Sequence, residues 1–373
     1  MANSHKIIIS GGGTGGHIFP AISIANALRQ IEPGIEILFV GALGRMEMEK
    51  VPQAGYQITG LPISGFQRKL SFRNIALIFK LIRSLLLASA IIRKFRPDAA
   101  VGVGGYASAA LLYMASRKKI PCLIQEQNSY PGITNRLLSK KASRICVAYD
   151  GMNKYFPAEK IILTGNPVRQ DLENIENKRV EALGYFNLNP DKKTLLIIGG
   201  SLGAKTINRC IINNIGKLND SGIQVLWQTG KIYFDSAKNE TSGHNMDSLK
   251  VHDFINRMDL AYSVADVIIS RAGAGTISEL CLVRKASVLV PSPNVAEDHQ
   301  TKNALALVNI KAALLVRDSE AADKLIDVAL GLISDEKLMN ELSENISKMA
   351  LRDSANRIAK ELFRIIDENK QNQ

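Results

Sequence analysis

Two glycine-rich turns, and three ionisable side chains set beside turns of this kind, are the parts of the chain equipped for chemistry. Gly11-Gly12-Gly13-Thr14-Gly15-Gly16 runs directly into His17, and Gly199-Gly200-Ser201-Leu202-Gly203-Ala204 repeats the arrangement in the second half. Glycines let a backbone turn tightly and approach a ligand, and a helix starting at such a turn offers unpaired N–H donors to anionic oxygens. The positive end of a helix disfavours a cation, which leaves a histidine there neutral and able to accept a proton. His17 is therefore a candidate general base, with a hydrogen bond to loop backbone, substrate contact without proton transfer, and helix capping as its other possible roles. Glu126, in Gln125-Glu126-Gln127-Asn128, is the next candidate. Arg271-Ala272-Gly273-Ala274-Gly275-Thr276-Ile277-Ser278 brings small residues to another helix start, and Glu279 follows at once. A carboxylate there either accepts hydrogen bonds from two ribose hydroxyls or is a favourable charge near the helix N-terminus.

These residues need elements to hold them. Short apolar strands are expected at 6–10, 35–40, 99–103, 121–125, 144–148 and 161–164, with helical patterns between most of them. A second set is expected near 194–198, 223–228, 249–252, 266–270, 287–290 and 313–316. Such alternation builds parallel sheets covered on both faces, whose ligands bind beyond the carboxyl ends of the strands. The glycine turns lie there, as do Gly104-Gly105-Tyr106 and the stretch Gln125 to Asn135. The expectation is two doubly wound α/β domains, 1–165 and 166–349, facing a common ligand cleft, with the crossing at Leu163-Thr164-Gly165-Asn166-Pro167-Val168-Arg169. A final amphipathic helix, about 350–373, is expected to pack back on the first domain.

Gly11, Gly13 and Gly16 also fit the dinucleotide fingerprint G-x-G-x-x-G. That mechanism needs an acidic residue at the end of the second strand to hold a ribose, whereas Glu36 falls inside the strand. A nicotinamide or flavin is therefore not expected.

The 373 residues carry a formal charge of +12. Such an excess fits an anionic substrate, an anionic membrane surface or nucleic acid. The basic residues are dispersed, without the aromatic-interleaved motif of a nucleic-acid module, so nucleic acid is not an expected partner. The four cysteines lack metal-ligand spacing and read as buried free thiols. No secretory signal is evident, and the most apolar stretch, Ile75 to Ile92, is short for a span and is interrupted by Lys80 and Arg83. Flanked by Arg68, Lys69, Arg73, Arg93, Lys94 and Arg96, that stretch is either a buried helix or one lying on an anionic bilayer.

GGGTGGH, EQNSYPGITN, TGNPVR, GGSLGA, RAGAGTISEL and EDHQTKNA occur in this order over nearly the whole chain. Together they resemble the MurG family of bacterial glycosyltransferases. The resemblance implies a GT-B fold of two Rossmann-like domains, the first for the acceptor and the membrane, the second for UDP-GlcNAc. It implies inverting transfer of N-acetylglucosamine from UDP-GlcNAc to the muramoyl 4-hydroxyl of lipid I, giving lipid II, by a peripheral enzyme at the cytoplasmic face of the inner membrane.

Carried over by motif, Thr14, Gly15 and Gly16 approach the donor sugar and diphosphate with Asn128 close by, and Gly104, Gly105 and Tyr106 meet the acceptor. Arg169, Ser201, Ile255, the turn Ala274, Gly275, Thr276, Ile277, Ser278 and Glu279, and Gln300 or its neighbour His299 line the donor site. Within it, Ile255 meets uracil through its backbone and Glu279 the ribose. His17 becomes the base for the acceptor hydroxyl, with Glu126 next. No Asp-x-Asp is present, so neither a catalytic metal nor another cofactor is expected, and helix N-termini take the leaving diphosphate. A nucleotide-sugar hydrolase and a non-catalytic nucleotide-sugar binder are the rival readings.

Overall fold

The computed structural model describes residues 4–63, 73–172, 174–200, 202–243, 248–295 and 298–371, and for 73–78 and Gln170 the main chain alone. The chain forms two compact units, one of Met1–Val168 with Asp353–Gln373 and one of Arg169–Arg352.

The first unit holds seven parallel strands: β1 (Lys6–Ser10), β2 (Glu36–Ala42), β3 (Gln57–Leu61), β4 (Ala99–Gly102), β5 (Cys122–Glu126), β6 (Arg144–Val147) and β7 (Ile161–Leu163). Their order is β3-β2-β1-β4-β5-β6-β7. Successive side chains of a strand point to opposite faces, and the middle of β1, Ile7-Ile8-Ile9, is apolar on both because both faces are covered. Ile7 and Ile9 enter one layer with the helices Gly15–Ile31 and Ser354–Gln371, and Ile8 enters the other with Tyr106–Arg117 and the buried side of Arg73–Phe95. The helix Ser354–Gln371 is held to this sheet by polar ties as well. Both oxygens of Glu368 accept from Arg144, at 2.8 and 3.1 Å, and Arg357 donates to the Leu163 carbonyl at 2.7 Å.

The second unit repeats the winding with six parallel strands: β8 (Thr194–Ile198), β9 (Gln224–Gln228), β10 (Leu249–His252), β11 (Val267–Ser270), β12 (Ala286–Leu289) and β13 (Leu314–Leu315). Their order is β10-β9-β8-β11-β12-β13. In each unit the first strand is central and the winding reverses beside it, between β1 and β4 and between β8 and β11. That reversal opens the crevice where doubly wound sheets bind ligands. All four glycine-rich loops singled out in the sequence emerge at these two points.

β3 is absent from the sequence expectations, and β13 is two residues rather than four. The four cysteines are free and buried, and burial pushes the thiols of Cys122, Cys146 and Cys281 up to about 12, so they are unreactive at neutral pH. Among the described residues, no helix is long and apolar enough to cross a membrane. The helix Arg73–Phe95 is not buried all round: Ser84, Ala88 and Ile92 face the core, while Phe79 and Leu86, each 68% exposed, share the outer side with Ile82, Leu87, Lys80 and Arg83.

Candidate active site

At the switch point of the first unit, the turn after β1 meets the turn after β4. Gly105 has φ +90, and a side chain there would lie 2.7 Å from the Gly12 carbonyl oxygen, so only glycine lets the two turns touch. His17 is in the first turn of Gly15–Ile31, and its Nδ1 lies 3.0 Å from the Gly12 carbonyl oxygen. A carbonyl only accepts, so Nδ1 carries the hydrogen, and the neutral ring keeps a lone pair on Nε2. The loop-backbone bond foreseen as a rival role thus also presets the tautomer a base needs. Gly104 leaves room at Nε2, because a side chain there would stand 2.9 Å from that nitrogen. Tyr106 is exposed at the head of its helix.

One participant was missed in the sequence. Glu47, fully buried, accepts from the Gly13 N–H at 2.9 Å and from the Ala42 N–H at 3.0 Å. By pattern alone it reads as an ordinary acid at a helix start.

Glu126, at the end of β5, is buried and fully occupied. One oxygen accepts from the backbone and side-chain nitrogens of Asn128 at 3.0 and 3.1 Å, and the other from Gly132 N at 3.1 Å and Asn135 Nδ2 at 2.9 Å. These four donors occupy the lone pairs a proton acceptor would use, so its geometry is that of an anchor for the 127–135 loop. Glu36, the rejected dinucleotide acid, opens β2 at the opposite end of the sheet and pairs with Lys6 at 3.0 Å.

In the second unit, Glu279 lies on the second turn of the helix Ala274–Val283, where the influence of the helix end has faded. Its Oε2 accepts from the hydroxyl of Tyr262, which is fully buried, at 2.8 Å. Burial pushes the Glu279 carboxyl up, while the Tyr262 bond and the Arg169 charge pull it back. Ile255 gives its N–H to Gln228 Oε1 at 2.9 Å, and Gln228 Nε2 donates to the Gly200 carbonyl at 3.2 Å, tying the turn after β8 to the segment after β10. Gln300 Oε1 accepts from Ser292 N at 2.8 Å. Arg271, given no role by the sequence, braces the turn after β11 by donating to the Val290 and Pro291 carbonyls at 3.1 and 3.2 Å and pairing with Asp318. Among the described residues, no three His, Cys, Asp or Glu side chains are grouped as metal ligands would be.

Residues 7–147 match the glycosyltransferase family 28 N-terminal domain, and residues 194–358 the family 28 C-terminal domain. A UDP-N-acetylglucosamine–N-acetylmuramyl-(pentapeptide) pyrophosphoryl-undecaprenol N-acetylglucosamine transferase of Phocaeicola vulgatus is 58% identical over 368 residues, 98% of each chain. The chain belongs to the MurG family. A transferase of the same name from Parabacteroides distasonis is also 58% identical, over 97% of this chain and 99% of that one. The crystal structure of Acinetobacter baumannii MurG superposes with a TM-score of 0.79 at 27% identity, over 97% of this chain and 100% of that one.

The MurG-family fold, two Rossmann-like units of GT-B type, is thus the one the sequence motifs implied. Of the residues those motifs carried over, Thr14, Gly15, Gly16, His17, Gly104, Gly105, Tyr106, Glu126 and Asn128 lie in the first unit, at the carboxyl ends of β1, β4 and β5 and in the turns and first helical turns that follow them. Arg169, Ile255, Ala274 to Glu279 and Gln300 lie in the second, and Ser201 falls outside the described residues.

Proposed function

We propose that this chain is an inverting glycosyltransferase that moves N-acetylglucosamine from UDP-GlcNAc to the muramoyl 4-hydroxyl of undecaprenyl-pyrophosphoryl-MurNAc-pentapeptide, lipid I, to give lipid II. The observation that carries the chemistry is the 3.0 Å contact between His17 Nδ1 and the Gly12 carbonyl oxygen. With Nδ1–H held on the Gly12 carbonyl, Nε2 takes the proton of the 4-hydroxyl as its oxygen attacks the anomeric carbon. The bond from that carbon to the diphosphate breaks, and UDP leaves with the electron pair. Its negative charge is met by the backbone N–H groups of the Ala274 helix start, fixed donors that need no reorganisation as charge develops.

In this reading Glu279 accepts from the ribose hydroxyls through the oxygen Tyr262 does not use. The Ile255 carbonyl takes the uracil N3–H, its own N–H being committed to Gln228. Arg169, Ser201, Ala274, Gly275, Thr276, Ile277, Ser278 and Gln300 complete the donor site, and Gly104, Gly105 and Tyr106 receive the acceptor. Proton transfer goes to His17, while Glu126 places Asn128 near the sugar.

The exposed Phe79, Ile82 and Leu86 with Lys80 and Arg83 support docking on an anionic membrane surface, the cytoplasmic face of the inner membrane, where a polyprenyl-linked acceptor resides. The test supplies radiolabelled UDP-GlcNAc with and without a lipid I analogue. Label should enter lipid only when acceptor is present; free labelled sugar without acceptor transfer would identify a hydrolase instead.

A further inference from the structure

A buried carboxylate costs free energy unless it is fully engaged, and among the described residues no cation pairs with Glu47. Its neighbours are shaped around it. A side chain at Gly12 would run into the Glu47 carboxylate, and one at Gly41 would meet its Cγ at 2.5 Å. The two main-chain N–H groups it accepts from, those of Gly13 and Ala42, fix it between the turn after β1 and the end of β2.

The Gly13 N–H and the Gly12 carbonyl belong to one peptide unit. Glu47 Oε2 takes its N–H at 2.9 Å, and on its other side the carbonyl receives His17 Nδ1–H at 3.0 Å. A peptide between two glycines, the second at φ +88, flips at little steric cost. After a flip, the N–H would face the imidazole, Nδ1 would become the acceptor, and the hydrogen would move to Nε2, where it blocks proton abstraction.

We propose that Glu47 is a positioning residue that locks the Gly12–Gly13 peptide and so sets the tautomer of His17. The inference rests on the reading of His17 as base. Charge-assisted hydrogen bonds such as that from Gly13 are about twice as strong as neutral ones, which suits a lock.

Glu47→Gln keeps the shape but turns one end of the side chain into a donor facing a backbone N–H. It should lower kcat by about ten- to a hundredfold, as misplaced catalytic groups do, with the KM for UDP-GlcNAc changed by less than about twofold. Nitrogen NMR of the imidazole should show the Nδ1–H form in the native enzyme and a share of Nε2–H in the variant, a shift that loosened packing alone would not cause. Gly12→Ala should depress kcat similarly, and lose its effect in a Glu47→Ala background, where the obstructing carboxylate is gone. Native kcat in folded Glu47→Gln or in Gly12→Ala, or additive losses in the double variant, would overturn the inference; should Glu47→Gln not fold, the two Gly12→Ala measurements decide. His17→Ala separates the two readings. If it keeps its rate, the base assignment falls and takes this inference with it; if it loses its rate while Glu47→Gln does not, the inference alone falls.

Discussion

Tyr262 gives its hydroxyl hydrogen to Glu279 Oε2 at 2.8 Å from a position sealed from solvent. Burial is the largest influence on Glu279 and raises its pKa; the tyrosine bond opposes it. A carboxylate must be ionised to accept two ribose hydrogen bonds, so donor binding should be intact above the raised pKa and lost as pH falls through it. The acid-side fall in kcat/KM for UDP-GlcNAc should therefore sit above the ordinary carboxylate range. Tyr262→Phe removes a bond that stabilises the ionised form, and should move that fall to still higher pH. Superimposable profiles for the two enzymes would separate Tyr262 from the donor site.

Removing the carboxylate altogether is the coarser test. Glu279→Ala should raise the UDP-GlcNAc KM by roughly tenfold or more, the loss of about 1.5–3 kcal/mol expected for a charge-assisted hydrogen bond. Isothermal titration with UDP reads the same loss without turnover, and unchanged affinity in a folded variant would take Glu279 out of the site.

For His17, the competing roles leave different kinetic traces. As the base, His17→Ala should cost about two to four orders of magnitude in kcat with donor affinity little changed. Parallel falls in donor affinity and thermal stability would instead mark a residue that only shapes the loop.

The outer face of Arg73–Phe95 makes a prediction in vesicles. Each cation near an anionic surface contributes about 1 kcal/mol, screened by salt. Cosedimentation with phosphatidylglycerol vesicles should weaken with salt and weaken further in Lys80→Glu/Arg83→Glu. Equal binding to neutral vesicles would show that these charges do not dock the protein.

The helix Ser354–Gln371 buries Ile358 and Leu362 completely in the core of the first unit. Leu362→Ala should cost about 2–5 kcal/mol. Chemical denaturation followed through the first unit should show its midpoint falling; an unchanged midpoint would mean the helix is not part of that core.

What was legible in the sequence follows from burial. β1 and β8 are central and covered on both faces, so each carries an apolar run, Ile7–Ile9 and Leu195–Ile198, shortly before glycines, which marks the strands and their loops together. β3 is an edge strand, Gln57-Ile58-Thr59-Gly60-Leu61, half exposed and weakened by a glycine, and no run betrays it. Glu47 and Tyr262 were illegible for a different reason. The work of Glu47 depends on side chains missing at Gly12 and Gly41, and Tyr262 reads as one more apolar residue until the fold sets its hydroxyl against Glu279.

The chain leaves the first unit at Val168 and re-enters it at Asp353, so in sequence the second unit is a long insertion in the first. This orders events during synthesis. The seven-stranded sheet is complete once Leu163 has been made, yet the apolar side carrying Ile7, Ile9 and Val101 lacks part of its cover until the residues from Ser354 onward follow. The second unit emerges whole in the meantime. On the ribosome, the domain begun first is the domain finished last, and a nascent chain stalled anywhere between the two crossings carries an open hydrophobic face for chaperones to guard.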